Sequence, residues 1–304
     1  MSGDDAIHTT ASRPSRRGVF LFLLITFGWS WAVALGIWRV DGLADPKLAT
    51  PLLFAFMFGP MIGALVCSLF YDPGRRLDAL ALRPRWNLWL LWAWLIPLAV
   101  VGLSILLSGV APGSAFADPA ERLAALIRDK GLDPAVIPVP MAALAAVQFV
   151  MALTLGPLIN TLGTLTEELG WRGWLWDRWR PLGFWRCNLL LGVVWGVWHA
   201  PIIVMGFNYP GLPVWGPVLM TLFTLLVAPL IGLVRERGGS VWHASLFHGS
   251  FNAAAGLALL VLFPGTFPWN GVTGVAGFAV LAAACALVAM AGARRRATPA
   301  TPKA

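Results

Sequence analysis

The chain is 304 residues long, and 58% of its residues are hydrophobic whereas only 12% are charged. This composition, with a mean hydropathy of +0.75, excludes an ordinary water-soluble domain and predicts an all-α polytopic membrane protein whose main partner is the lipid bilayer. The net charge of +8 does not indicate a nucleic-acid partner, because the basic residues stand in short clusters between apolar runs, where they orient helices in a membrane.

Apolar runs of roughly 20 residues, the length that crosses a bilayer, predict about eight transmembrane helices. Seven of the runs are continuous, at residues 18–38, 51–71, 87–110, 184–205, 213–234, 240–263 and 271–292. The eighth lies within 141–178, where Gly156 and Pro157 predict a kink and the crossing follows from about 154 to 178. The tryptophans that end this segment predict an aromatic belt at the membrane surface: Trp171, Trp174, Trp176 and Trp179.

The distribution of basic residues predicts the orientation of these helices. With eight spans and both termini inside, 17 of the 22 Lys and Arg residues fall on the cytoplasmic side, many of them in the 72–86, 179–183 and 235–239 loops. The five on the outer side are Arg39, Lys47, Arg122, Arg128 and Lys130. Because cytoplasmic loops carry the excess of Lys and Arg, we predict a multi-pass protein of the cell (inner) membrane with both termini cytoplasmic. The long outer connection, 111–139, has room for a short surface helix.

Two further sequence features have simple interpretations. Ser15-Arg16-Arg17 before the first apolar run is similar to a twin-arginine export signal, but that run exceeds the ~7 to 15 residues of the apolar h-region of a signal sequence. We therefore predict an uncleaved first helix. The three cysteines, Cys67, Cys187 and Cys285, offer neither a disulfide framework nor close metal-ligand spacing, and small packing residues are the better interpretation.

Ionisable side chains within a membrane span are costly, so each needs a partner or a function. The predicted spans contain few of them: Glu167, Glu168, Arg172, His199, His243 and His248, with the amide Asn252 close by. Glu168 and Arg172 stand four residues apart with the acid first, the favourable order for a salt bridge along a helix. Glu167 points about 100° away from Glu168 and has no such partner on its own helix. It is therefore a candidate general base.

Residue counting places the other polar groups at a similar depth. At about 1.5 Å per residue from the predicted cytoplasmic helix ends, Glu167 and His248 lie roughly 15 Å deep and His199 and Asn252 roughly 21 to 22 Å deep. In a hydrocarbon core about 30 Å thick, all four fall in the middle half. His248 and Asn252 also share one helix face. His243, about 140° from His248 around the helix, is predicted to be interfacial and not catalytic.

Asn160 and Thr164 precede Glu167 on a similar helix face. They are predicted either to line a cavity or to bond the backbone near the Pro157 kink.

Three segments resemble the motifs of the CPBP (Abi) family of intramembrane proteases, which includes the type II CAAX prenyl endopeptidases. They are Glu167-Glu168-Leu169-Gly170-Trp171-Arg172, Trp195 through His199, and His248-Gly249-Ser250-Phe251-Asn252. The family patterns are Glu-Glu-x-x-x-Arg, an aromatic residue (usually Phe) with His four residues later, and His-x-x-x-Asn or Asp. This chain departs from them at Trp195, where Phe is usual, and we expect only altered packing beside His199. The resemblance covers about residues 140–262.

The resemblance implies an intramembrane endopeptidase that acts on membrane-associated or prenylated (CAAX-type) proteins or peptides. The catalytic residues that it implies are Glu167, His199, His248 and Asn252. The first two would activate a water for attack on a peptide carbonyl, and the last two would stabilise the oxyanion. Glu168 and Arg172 would hold the helix end in shape as structural support. We expect a protease of the glutamic type, without a cofactor, whose cavity opens toward the cytoplasmic half.

Two alternatives stay open. Glu167, His199 and His248 could instead form a zinc site with water as the fourth ligand, although no His-Glu-x-x-His pair is present. We favour metal independence, because Asn252 shares the His248 face and an amide is a good oxyanion donor but an uncommon zinc ligand. The same polar cluster could also hold helices together or bind a solute in a non-catalytic transporter or scaffold, although repeated halves with broken helices are not evident.

The domain organisation follows from the spans and the resemblance. A cytoplasmic N-terminal tail (1–17) precedes transmembrane helices 1–3 with the outer loop (18–139). The CPBP/Abi protease core (140–262), a C-terminal transmembrane helix (263–293) and a cytoplasmic tail (294–304) follow. Relatives in the family cleave prenylated proteins, leader peptides and membrane anchors, and the sequence does not select among them.

Overall fold

The computed structural model describes residues 16–110, 114–263 and 270–297, so most of the two predicted tails lies outside the described residues. Within these ranges the fold is all-α, as predicted, with one isolated bridge between Phe116 and Leu262. The α-helices are α1 (Arg16–Arg39), α2 (Pro46–Tyr71), α3 (Arg76–Ala79), α4 (Trp89–Gly109), α5 (Pro119–Arg128), α6 (Met141–Leu153), α7 (Leu155–Glu168), α8 (Trp176–Trp179), α9 (Phe184–Trp198), α10 (Ala200–Val204), α11 (Trp215–Gly238), α12 (Val241–Ala255), α13 (Ala258–Val261) and α14 (Val275–Ala297).

Six described helices are long and apolar enough to cross a membrane, and a bent pair formed by α6 with α7 and its continuation raises the number to seven. A polytopic membrane protein is thereby confirmed. The predicted span 184–205 is divided, because α9 ends after 15 residues and α10 begins after His199. Pro201 has no N–H for the carbonyl of Val197, and its ring opposes a continuous helix. The count of eight spans therefore stays a prediction.

The kink predicted at Gly156 and Pro157 is confirmed. It lies at Thr154, and the helices before and after it are bent by 52°. Pro157 cannot donate to the carbonyl of Leu153, four residues earlier. Trp94 on α4 donates its indole N–H to that carbonyl at 3.1 Å. A neighbouring helix thus satisfies the acceptor that the kink leaves free in an apolar environment.

A π-helical turn, Leu169–Leu175, follows α7, and all seven of its residues are buried. Gly170 lies against α2, where a β-carbon would stand 2.7 Å from the carbonyl oxygen of Pro60. Arg235 on α11 donates from Nε to the carbonyl of Arg172 at 2.7 Å. The wider turn is therefore held by a close backbone approach on one side and a cross-helix hydrogen bond on the other.

The two tryptophans of this turn and Trp176, which begins α8 directly after it, are core residues. Trp171, Trp174 and Trp176 are 0%, 1% and 3% exposed. Phe22 of α1 stacks on Trp174 and meets Trp171 edge-on. The predicted aromatic belt is therefore wrong for these three residues, because the π turn directs them into the bundle and away from the membrane surface.

Close packing of α12 on α7 brings the first and third motifs together. Thr164 donates to the carbonyl of Ser245 at 2.9 Å, and Ser245 donates to the carbonyl of Thr161 at 2.7 Å. Gly249 permits the approach, since a β-carbon there would lie 2.6 Å from the backbone nitrogen of Thr161. Each hydroxyl thus donates to a backbone carbonyl of the other helix, in a region without water.

Loops meet at two ends of the helix bundle. We call one the arginine-rich end; it comprises residues 72–88, 176–183 and 235–240. There Arg178 pairs with Asp72 and Arg180 pairs with Glu236. The first of these pairs is the more buried, with both side chains 14% exposed.

The opposite end comprises residues 114–118, 205–214, 256–263 and 270–274. Tyr209 donates its hydroxyl to the carbonyl of Thr273 at 2.9 Å, and Ser114 donates to the Asn270 side-chain oxygen at 3.0 Å. Helix α5 lies beside this end and is the short surface helix predicted within 111–139. Asp118 caps it by accepting from the backbone N–H groups of Ala120 and Glu121.

Candidate active site

A cavity of about 380 Å³ lies among α2, α7, α9, α11 and α12. Its wall is mainly apolar, and all four predicted catalytic residues line it: Glu167, His199, His248 and Asn252. The first three are 4%, 8% and 7% exposed, and Asn252 is the most accessible of the four. Few polar groups converging in an apolar concavity are the usual form of a binding or catalytic site.

Glu167 stands at the end of α7, and its partner is on α9. Trp195 donates its indole N–H to Glu167 Oε2 at 2.8 Å. The sequence had shown no partner for Glu167 on its own helix, and this bond comes from a different one. Phenylalanine, the usual residue at this motif position, has no N–H to donate. The departure at Trp195 therefore places a hydrogen-bond donor on the candidate base, which is more than the altered packing that we expected.

Glu168 forms the predicted salt bridge with Arg172 and also binds the third motif. Arg172 Nη1 lies 3.0 Å from Glu168 Oε1, and both side chains are 0% exposed. His248 Nδ1 lies 3.0 Å from the same oxygen. A carboxylate paired with arginine only accepts, so Nδ1 carries a proton. This bond uses Nδ1 and leaves the second ring nitrogen, Nε2, for another partner.

The ring of Trp195 lies beside three of the motif side chains. The Arg172 guanidinium carbon stands 4.7 Å from the ring centroid, a cation–π distance. The His248 ring meets it edge-on at 5.1 Å, and the His199 ring lies at 5.8 Å. No spacing rule in the sequence would have found this arrangement, because the contacts join α9 to α12 and to the π turn.

His199 is fixed at the break between α9 and α10. Its Nδ1 lies 2.8 Å from the backbone carbonyl of Trp195. A carbonyl only accepts, so Nδ1 carries the proton, and Nε2 of the neutral ring is an acceptor that can orient a water. The ring also packs edge-on against Trp198, with centroids 4.7 Å apart.

His248 and Asn252 both line the cavity, one helical turn apart, as their shared face predicted. Asn252 lies one turn nearer the opposite end of the bundle. The two side chains thus follow one another along the cavity wall.

The remaining polar residues of the core lie elsewhere. His243 is at the arginine-rich end, where its Nε2 lies 3.2 Å from the Asn87 side-chain oxygen, and it is not among the cavity-lining residues. Asn160 donates to the carbonyl of Gly156 at 2.9 Å. Together with Thr164, which bonds α12, it stabilises helices and does not face the cavity. The second interpretation, a bond to the backbone near the Pro157 kink, therefore fits Asn160, whereas Thr164 bonds the backbone of α12 instead.

The cavity extends away from the arginine-rich end. Phe207, Asn208 and Thr273, which line it, belong to loops at the opposite end. In the predicted topology, where the arginine-rich end is cytoplasmic, this direction is opposite to the expected opening toward the cytoplasmic half. Residue counting gave the depth of the polar groups, but the packing of side chains above and below them decides which side is open.

A zinc site would need Glu167, His199 and His248 to converge on one ion. Both histidines do have an acceptor on Nδ1, as metal-binding histidines usually have. Within the described ranges, however, no three or more His, Cys, Asp or Glu side chains are grouped as a metal site requires. The choice between the glutamic type and the zinc alternative stays a prediction.

Comparison with known proteins agrees with the motifs. Residues 144–254 match the family model described as type II CAAX prenyl endopeptidase Rce1-like. No curated protein matches the chain. The matched segment runs from α6 to the end of α12 and contains all three motifs and all four polar residues of the cavity. Over residues 144–254 the chain therefore matches the Rce1-like type II CAAX prenyl endopeptidases, in agreement with its resemblance to the CPBP (Abi) family.

Proposed function

We propose that this protein is an intramembrane endopeptidase that hydrolyses peptide bonds of membrane-associated substrates with a water activated by Glu167 and His199. The observation that carries the proposal is the convergence of four polar side chains from three helices on one apolar cavity. Ionisable groups at membrane depth are costly unless they serve a function. The family match over the same segment supports a protease.

The reaction begins with a water held between the Glu167 carboxylate and His199 Nε2. Glu167 takes a proton as the water oxygen bonds to the peptide carbonyl carbon, and the C=O π electrons move to the oxygen. Asn252 donates its amide N–H to this oxyanion. When the tetrahedral intermediate collapses, the C–N bond breaks and the proton held by Glu167 passes to the leaving nitrogen. The products are a carboxylic acid and an amine.

His248 can assist the oxyanion only from Nε2, because Nδ1–H donates to Glu168. Donation from both nitrogens requires a ring that is protonated on both and therefore positively charged. The negative charge of the Glu168 carboxylate lies next to this ring. General-base catalysis contributes about 10²- to 10⁴-fold. Each oxyanion donor contributes about 10²- to 10³-fold in a site that excludes water.

The apolar wall of the cavity is suited to substrates with hydrophobic residues around the cleaved bond. Phe56, Met57, Met220 and Phe223 contribute to it. Prenylated CAAX-type proteins are one candidate class, since the matching family is described as prenyl endopeptidases. Membrane-anchored peptides are the other.

The paired acids allow a sharp test. Glu167→Gln should abolish cleavage while the protein stays in the membrane, because the amide cannot accept the water's proton. Glu168→Gln should mainly lower the amount of folded protein, because Arg172 would lose the carboxylate that neutralises it in a site without solvent. The measurement is the peptide profile of membranes that contain each variant at matched protein levels. Wild-type cleavage by Glu167→Gln would refute the catalytic assignment and favour a scaffold or transporter.

Metal independence is part of the proposal. Purified protein should keep its activity after exhaustive chelation, and elemental analysis should find no stoichiometric zinc. Activity that is lost to a chelator and restored by Zn²⁺ would instead assign Glu167, His199 and His248 to a metal shell.

A further inference from the structure

Along the bundle, the catalytic cavity continues toward the end opposite the arginine-rich end. A second cavity of about 620 Å³ lies at the opposite end and shares four lining residues with it, Asn208, Ala255, Gly256 and Thr273. The two cavities are therefore adjacent, and together they extend from the motif side chains to that end. Among the described lining residues of the catalytic cavity, none belongs to the arginine-rich end.

The side toward the arginine-rich end is packed shut. Directly beyond Glu167 lie the Glu168–Arg172 ion pair and Leu175, all 0% exposed, followed by Trp174 at 1%. Arg235 closes the same layer through its bond to the Arg172 carbonyl. A peptide could not pass through this layer without separating a buried ion pair, which is strongly destabilising.

The charge distribution assigns sides to these two ends. Loops rich in Lys and Arg are retained in the cytoplasm. The arginine-rich end, with 17 of the 22 basic residues on its side in the eight-span topology, is therefore the cytoplasmic one. The two cavities then extend from the motif side chains toward the extracytoplasmic surface.

We infer that the substrate reaches Glu167 from the extracytoplasmic side of the membrane, through these two cavities and past Thr273 and Asn208. The inference rests on the proposed function and narrows its substrate class. The substrates are peptide segments presented at the outer surface, with apolar side chains next to the cleaved bond. Prenylated C-termini held at the cytoplasmic surface lie on the side that the buried ion pair closes.

A matched pair of cysteine variants tests the direction in intact cells. Leu259→Cys places a thiol in the second cavity, outside the lining of the catalytic one and at a position that is 59% exposed, and Leu182→Cys places one at the arginine-rich end, where Leu182 is 43% exposed. The probe is a sulfonated maleimide that does not cross the membrane. The parent protein serves as the blank: Cys67 and Cys187 are 0% exposed, and any background labelling of the partly exposed Cys285 is measured on it.

Leu259→Cys should react in intact cells, and Leu182→Cys should react only after permeabilisation. The labelled Leu259→Cys protein should lose the peptide cleavage that the same variant shows before labelling, whereas labelled Leu182→Cys should keep it. The reverse pattern of labelling, or a labelled Leu259→Cys protein that cleaves as before, would overturn the inference. Labelling needs no catalysis, so its result is separate from that of Glu167→Gln, which tests the proposed function alone.

Discussion

The indole of Trp195 distinguishes this site at the scale of single residues. It donates to Glu167 and stacks on Arg172, while its backbone carbonyl accepts from His199. One residue therefore orients both groups that are proposed to hold the water. A motif that requires only an aromatic ring at this position would not need the N–H.

Trp195→Phe tests whether that N–H matters. The variant keeps the ring but leaves the Glu167 carboxylate without its donor, and a hydrogen bond to a charged group is worth about 1.5 to 3 kcal/mol. We expect kcat to fall about ten- to a hundredfold with little change in KM, since the bond positions the base and does not touch substrate. Steady-state kinetics on purified protein measures both constants.

Trp171→Phe is the matched control. Trp171 is equally buried, does not line the cavity, and its indole nitrogen has no hydrogen-bond partner within the described part of the chain. It should lose far less activity than Trp195→Phe. Equal losses in the two variants would mean that packing, and not the hydrogen bond, explains the effect.

At the scale of elements, the π turn positions the first motif. It lets Arg172 reach back to Glu168 while its tryptophans pack inward. Widened turns of this kind are frequent at functional sites. Here the turn depends on the close approach of Gly170 to α2.

Gly170→Ala should therefore destabilise the fold by about 1 to 3 kcal/mol, the usual cost of overpacking. The new methyl group would meet the Pro60 backbone, which cannot move aside as a flexible side chain can. Gly163→Ala on α7 is the control, because the nearest atom would lie 3.8 Å away on Phe54. It should be neutral or stabilising, since alanine favours a helix. Thermal unfolding in detergent compares the two, and equal midpoints would contradict this account of the turn.

At the scale of the whole molecule, the two ends of the bundle differ in charge and in access. The predicted topology places both termini on the cytoplasmic side with the arginine-rich end. Ser2, which lies outside the described residues, should therefore react as Ser2→Cys with an impermeant thiol reagent only after permeabilisation. Labelling in intact cells would reverse the topology and with it the side on which the cavity opens.

The sequence by itself determined the class of the molecule and picked out the four polar residues that line its cavity. Hydropathy and length are local properties of a chain, so they predicted membrane-spanning helices without knowledge of their packing. Helical spacing along one element likewise predicted the Glu168–Arg172 pair and the shared face of His248 and Asn252. The kink before Glu167 followed from the missing N–H of Pro157 alone.

Only the tertiary structure decided how these pieces meet. The Glu168–His248 and Trp195–Glu167 bonds join helices that are distant in sequence, and no periodicity along one helix specifies which helices pack together. The break at His199 and the direction of the cavity were decided in the same way. Whether a polar residue faces an open path or a sealed layer depends on side chains from neighbouring helices, and these are brought together only when the bundle packs.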